Sequence, residues 1–144
     1  MSLFHKASAE IVALHRFFVE WYDKATADSA DFGLFERAMG AGMRMIPPSG
    51  AILDREAVVG YVRANKGAFD GDFDIEITDI HPVWEDGHTV LVTYVERQQR
   101  AGARTARLAS AFFIENPSAP NGVEWRHLHE TWMQEGDSGR LGSN

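Results

Sequence analysis

The hydrophobic period of this chain changes once, near Phe73, and that switch limits the folds open to it. Before it, apolar residues recur at helical spacing. Ile11, Leu14, Phe18, Trp21 and Ala25 form a stripe over residues 8–28, with Ser8 as its N-cap and His15 and Tyr22 on its flanks. A second short helix is predicted over residues 31–39, with Phe32 and Phe35 inward, and Gly40 and Gly42 break it. A short strand at residues 43–46 and the turn Pro47-Pro48-Ser49-Gly50 follow. Asp54 caps a third helix over residues 55–66, whose apolar side carries Val58, Tyr61 and Val62.

After Phe73 the period is two. Strands are predicted at residues 73–84, 89–99, 104–115 and 123–133. They are separated by Glu85-Asp86-Gly87-His88, by Ala101-Gly102 and by the loop 116–122. Consecutive strands joined by short loops make an antiparallel meander. The expected class is α+β: a curved antiparallel β-sheet with three helices from the N-terminal half laid on one face. Such layers form a cone with an interior pocket. Residues 1–134 read as one domain, and the polar, Gly-rich stretch 135–144 as a flexible tail.

The last strand, Trp125-Arg126-His127-Leu128-His129-Glu130-Thr131-Trp132-Met133, carries bulky groups on both faces. Strict alternation places Trp125, His127, His129, Thr131 and Met133 together, and Arg126, Leu128, Glu130 and Trp132 opposite. The first set is assigned to the interior. The second, with Ala109, Ala111 and Phe113, is assigned to an outer sheet face that the chain's own helices cannot cover. Small residues allow close approach and large apolar ones supply area, so a homodimer through that face is expected.

Bulk composition removes several classes of function. There is no cysteine, which excludes disulfides and thiolate chemistry. A net charge of −7 opposes non-specific binding to nucleic acid or acidic membranes, and neither is expected as a partner. No apolar run reaches the roughly 20 residues of a membrane span, and the first residues lack the apolar stretch of a signal peptide. A cytoplasmic location is expected. Arg97, Arg100, Arg104 and Arg107 cluster around one turn and read as a solvated hairpin end, with an acidic-ligand patch as the alternative.

Asp70-Gly71-Asp72-Phe73-Asp74 mimics a calcium loop but has Ile75 where glycine is needed and His81 where glutamate is needed. Asn116-Pro117-Ser118 is blocked as a glycosylation site by its proline. Phosphate-loop, nucleophile-elbow and dinucleotide fingerprints are absent. No cofactor and no metal is expected. His127 and His129 form an H-x-H pair, yet a third ligand would have to come from Glu96 or another strand.

Glu96 shares a strand face with Val92 and Tyr94. If that face is interior, burial raises its pKa and a nearby histidine favours its ionised form. A His–Glu pair near neutrality is an acid–base device, so His129 and Glu96 are the candidate catalytic residues. The other reading puts Glu96 near the open mouth, paired with Arg97, Arg104 or water. The candidate ligand-binding set is Trp21, Tyr22, Met45, Tyr61, Tyr94 and Ser110, with Phe112, Trp125, His127 and Thr131. In a cone the residues that pack the core also wall the hollow.

Several stretches together resemble a known superfamily. They are Phe18-Val19-Glu20-Trp21-Tyr22, Met45-Ile46-Pro47-Pro48-Ser49-Gly50, Asp54-Arg55-Glu56-Ala57-Val58 and the closing Trp125-Arg126-…-Leu128-His129-Glu130-…-Trp132. In this order and spacing, over residues 8–133, they are similar to the nuclear transport factor 2-like, or SnoaL-like, superfamily. The subgroup is a bacterial one of unknown function related to the association domain of calcium/calmodulin-dependent kinase II. The resemblance implies a cystatin-like cone. Relatives often carry a second histidine and then a serine where this chain has Thr131 and Met133. Thr93-Tyr94-Val95-Glu96 resembles the association domain's Tyr-x-Arg strand, with Glu96 in place of the arginine. Since this fold hosts isomerases, dehydratases, cyclases, hydrolases and non-enzymes, fold does not settle function. Three functions stay open: a homodimeric small-molecule binder, a small lyase or isomerase using a His–Glu pair, and an assembly module without a ligand.

Overall fold

The computed structural model describes residues 1–134; the expected tail at 135–144 lies outside the described residues. Helix α1 spans Leu3–Tyr22 and starts well before the position that a Ser8 cap would give. Ser2 is the cap, and its side chain accepts from the His5 N–H. Ser8 sits inside the helix, where its Oγ donates to the Phe4 carbonyl at 2.9 Å. That bond satisfies the hydroxyl without ending the helix. The helix stops at Tyr22 because Asp23 is extended, with φ −82° and ψ 122°, and the Lys24 N–H is taken by the Phe69 carbonyl at 2.7 Å.

Helix α2 (Phe32–Ala38) is capped by Asp31 and runs directly into β1 (Met39–Ile46). The two-residue β2 (Leu53–Asp54) leads into α3 (Arg55–Ala64), where Asp54 accepts from the Ala57 N–H at 2.9 Å. Four long strands follow: β3 (Phe73–Glu85), β4 (Thr89–Arg100), β5 (Ala103–Glu115) and β6 (Val123–Met133). Together the strands form one curved, open sheet in the order β2-β1-β6-β5-β4-β3, with the helices folded against one face. This is the expected α+β cone. Its meander is antiparallel as read, while β1 lies parallel to β6 and makes the sheet mixed. Parallel neighbours need a long connection, and here α3 and all of β3–β5 intervene. Among the described residues no helix is long and apolar enough to cross a membrane.

Two local features decide which side chains face inward. The first is the turn at Ala101-Gly102. Both residues have left-handed φ, 51° and 81°, as a two-residue hairpin turn requires. This turn pairs Arg100 with Ala103, and therefore Glu96 with Arg107, Tyr94 with Ala109 and Val92 with Ala111. Cross-strand partners share a face. Ala109, Ala111 and Phe113 thus lie inside beside Tyr94, and all three are fully buried. Ser110 and Phe112 lie on the outer face, contrary to expectation. The alanines are small for an interior reason: they sit between Tyr94 and Glu130, and between Val92 and Leu128, in the same cross-strand rows.

The second feature is a β-bulge at Arg126. Phe113 pairs with Trp125, but Phe112 pairs with His127, so Arg126 has no partner. An extra residue reverses the alternation beyond it. Trp125, Leu128 and Glu130 consequently share the interior face. His127, His129 and Thr131 turn outward, which corrects their assignment to the hollow. Leu128 is corrected in the opposite sense, and Trp132 closes the end of the sheet against Arg107, whose Cζ lies 4.7 Å from its ring centre. Strand β1 can follow this bulge only because it is glycine-rich. A Cβ on Gly40 would stand 2.8 Å from the Trp125 carbonyl oxygen, closer than any side chain tolerates.

The core is centred on Trp125, packed on Phe113 with ring centres 4.5 Å apart, and on Ile11, Leu14 and Trp21 of α1. Glu10 is the polar pin of this region. Its carboxylate accepts from Trp125 Nε1 at 2.8 Å and from Asn121 Nδ2 at 2.9 Å, joining α1 to the loop between β5 and β6. Burial nonetheless holds the Glu10 carboxyl above its ordinary range.

Candidate functional site

Between the helices and the inner sheet face lies a cavity of about 510 Å³. Apolar walls come from Leu14 and Phe18 of α1, Met39 and Met43 of β1, Val62 of α3 and Leu128 of β6. Leu14 and Phe18 follow from the helical stripe of α1, Val62 from the apolar side of α3, and Leu128 from the reversed parity of β6. The rim carries Tyr61, which is 65% exposed, together with Phe69, Phe73 and Arg100.

The inner end of the cavity is polar and charged. Glu96 is 3% exposed and accepts from two side chains: His15 Nε2 at 3.1 Å and Gln98 Nε2 at 2.6 Å. His15, equally buried, donates from Nδ1 to the Ile11 carbonyl at 2.7 Å. A carbonyl only accepts. Donation from both ring nitrogens, one to a carbonyl and one to a carboxylate, makes His15 an imidazolium. The electrostatics agree. Burial alone would push His15 down, but the charge and hydrogen bond of Glu96 and the Ile11 carbonyl outweigh it and leave its pKa raised. For Glu96, burial pushes up, yet His15, Arg107 and Gln98 together pull its pKa down to about 2.

Beside this pair, Arg107 Nη1 meets Glu130 Oε1 at 3.0 Å. Glu130 differs from Glu96 in sign. Burial and the neighbouring Glu96 charge raise its pKa, and Arg107 offsets them only in part. Tyr94 stands behind the group with its ring 5.7 Å from that of His15. Burial and the two glutamates keep the phenol protonated. Among the described residues, the buried Tyr94 Oη and Arg107 Nε have no hydrogen-bond partner, an arrangement that is uncommon in native interiors.

The residues singled out from sequence are thus distributed over four places. Glu96, Tyr22, Met45, Tyr61 and Trp125 line the cavity. Tyr94 lies just behind it, and Trp21 is buried elsewhere, donating from Nε1 to the Val62 carbonyl at 2.7 Å and so tying α1 to α3. Ser110, Phe112, His127, His129 and Thr131 are on the outer face. Glu96 has an imidazole partner, but from α1 rather than β6. A metal triad of His127, His129 and Glu96 is ruled out by the sheet that separates them, and among the described residues no group of three histidines and carboxylates could hold a metal ion.

His15, Gln98, Arg107 and Glu130 were missed. His15 carried a signal, standing four residues after Ile11 and one after Leu14 on the buried stripe. Arg107 carried one too: a two-residue turn at Ala101-Gly102 places it opposite Glu96, inside the cone and not on a solvated hairpin end. Glu130 carried none without the bulge.

No protein-family model matches the chain, and no curated protein matches it. Solved structures do. A nuclear transport factor 2-like protein of unknown function from Pseudomonas aeruginosa aligns with a TM-score of 0.80 and 23% identity, over 90% of this chain and 99% of that one. A protein with a cystatin-like fold from Caulobacter vibrioides aligns with a TM-score of 0.63 and 15% identity, over 93% and 94%. The CaMKII hub of S. rosetta aligns with a TM-score of 0.61 and 14% identity, over 73% and 84%. At these identities the likeness is one of fold: the chain adopts the nuclear transport factor 2-like cone.

Proposed function

We propose that this protein binds one small, mostly apolar molecule in the hollow between its helices and its sheet. The observation that carries this reading is the cavity itself. Its volume of about 510 Å³ falls in the range of small-molecule sites, and such sites pair apolar walls with a few fixed polar groups. Here His15 and Glu96 hold each other, and Arg107 holds Glu130, so the polar end is organised before any ligand arrives. A Met43→Trp variant fills the hollow from β1. Native mass spectrometry of the purified chain should show a retained small molecule, or binding of added 4-phenylbutan-1-ol, in the wild type and not in the variant. Equal occupancy in both proteins would place the ligand elsewhere.

Self-association is part of the same proposal. The outer sheet face presents the cross-strand row Trp84, Leu91, Phe112 and His127, with Trp84 57% exposed. The likeness to a hub fits self-association, and the exposed apolar row is the reason for choosing this face. Light scattering should give two chains for the wild type and one for Phe112→Asp; a wild-type monomer at micromolar concentration would end the idea.

A second reading is proton transfer, and Glu130 favours it. A carboxyl held above its ordinary range by burial and a neighbouring carboxylate is a stronger base than a solvated one. In that reading Glu96 stays ionised and Glu130, not Glu96, is the base. Turnover of an enolisable ketone that is lost in Glu130→Gln and kept in His129→Ala would select it.

A further inference from the structure

Charges around the hollow are not evenly matched. His15 is paired with Glu96, and Arg107 with Glu130. Arg100 is the exception. It ends β4 at the cavity rim, and its guanidinium carbon stands 4.4 Å from the centre of the Phe69 ring. Among the described residues it makes no ion pair, and the nearby Asp72 carboxylate instead accepts from Gln99 at 3.0 Å. Among the described residues three cations therefore face two carboxylates around the hollow. The excess is positive whether or not Glu130 holds a proton, in a chain whose net charge is −7.

From this we infer that the hollow takes an amphipathic monoanion, apolar end first, with its carboxylate held at the mouth by Arg100. The inference rests on the reading that the hollow binds a small molecule. The inner end cannot take the anionic head, because two carboxylates already share it and one of them is already disfavoured by the other's charge. The walls below the rim are hydrocarbon and thioether, from Phe18, Met39, Met43 and Leu128, and suit an alkyl or aryl body. Arg100 is also fixed in place. The face of Phe69 holds the planar guanidinium by a cation–π contact, leaving its edge donors free for a bidentate carboxylate.

Calorimetry with 4-phenylbutanoate and 4-phenylbutan-1-ol tests this, since the two differ only in the head group. The acid should bind the wild-type chain about two- to fivefold more tightly than the alcohol, the range of a partly exposed charge pair. In Arg100→Gln that preference should vanish while the alcohol is still bound. Equal affinities in the wild type would overturn the anion assignment and leave hollow binding standing. A preference that survives in Arg100→Gln would overturn the placement of the head at the rim. If neither compound binds, the hollow reading fails and this inference with it.

Discussion

Replacing His15 by glutamine removes the cation that holds Glu96. In the folded protein the Glu96 pKa moves from 4.5 to about 2. At about 1.4 kcal/mol per unit this is worth about 3 kcal/mol. A lowered carboxylate contributes fully above 4.5 and loses its contribution as the pH falls toward 2. The His15 pKa is raised from 6.5, so its contribution is full below 6.5 and is lost as the pH rises through the raised value. The pair is therefore strongest between pH 4.5 and 6.5. In His15→Gln, burial of Glu96 is no longer outweighed and its pKa should rise, so the variant should lose stability with rising pH. Breaking a buried pair by removing one partner costs about 3–5 kcal/mol, and that cost should be seen at about pH 7 and shrink toward pH 4, where Glu96 can take a proton. Urea unfolding at several pH values measures it. His15→Leu combined with Glu96→Leu should recover most of the loss, because an apolar pair of similar volume leaves no buried charge. A cost that does not change with pH would mean that only packing was lost and that no charge had been holding Glu96.

Other consequences follow from the bulge and from the buried groups. Leu128→Ala should cost about 2–5 kcal/mol and His129→Ala less than about 0.5 kcal/mol; equal costs would restore unbroken alternation in β6. Tyr94→Phe removes a buried hydroxyl without a partner, so denaturant unfolding should find it neutral or stabilised by up to about 1 kcal/mol, and a clear loss would reveal a partner for that hydroxyl. Glu10, raised by burial, contributes stability that is full below 4.5 and fades as the pH rises through its folded value. Glu10→Gln should therefore flatten the decline of stability above pH 4.5, at the cost of one of its two accepted hydrogen bonds, and an unchanged slope would remove Glu10 from the titration.

The architecture was legible because its signals are periodic and local. The helical stripe from Ile11 to Trp21, the Asp54 cap and the glycine turn at Ala101-Gly102 each name an element, and the single change of period orders them. Element ends were less legible for an equally physical reason. Ser2 and Ser8 are both competent caps, and only the hydrogen bond from Ser8 to the Phe4 carbonyl decides between them. The stripe also continues through Ala25 in sequence although the chain leaves the helix at Asp23, drawn away by the backbone of Phe69. Periodicity cannot see a tertiary competitor for a backbone N–H.

The site depended on two parities, and these differ in kind. The parity of β5 against β4 was available: a two-residue turn pairs Glu96 with Arg107 and Tyr94 with Ala109, so Ser110 and Phe112 could not share a face with Tyr94. The parity of β6 was not. Its reversal needs Arg126 to be skipped, and the reason lies on another strand, where Gly40 and Gly42 let β1 close onto the bulge. That one unpaired residue exchanges the chemistry of the hollow. With unbroken alternation the interior would hold His127 and His129 beside Glu96, a set of imidazoles suited to a metal or to proton shuttling near neutrality. With the bulge it holds Leu128 and Glu130. A second carboxylate enters, Arg107 is needed to offset it, and the imidazole that a buried Glu96 demands has to come from the helix as His15. The outcome is a hollow whose inner charges are already matched in pairs, which leaves Arg100, among the described residues, as the cation at the rim with capacity for a ligand.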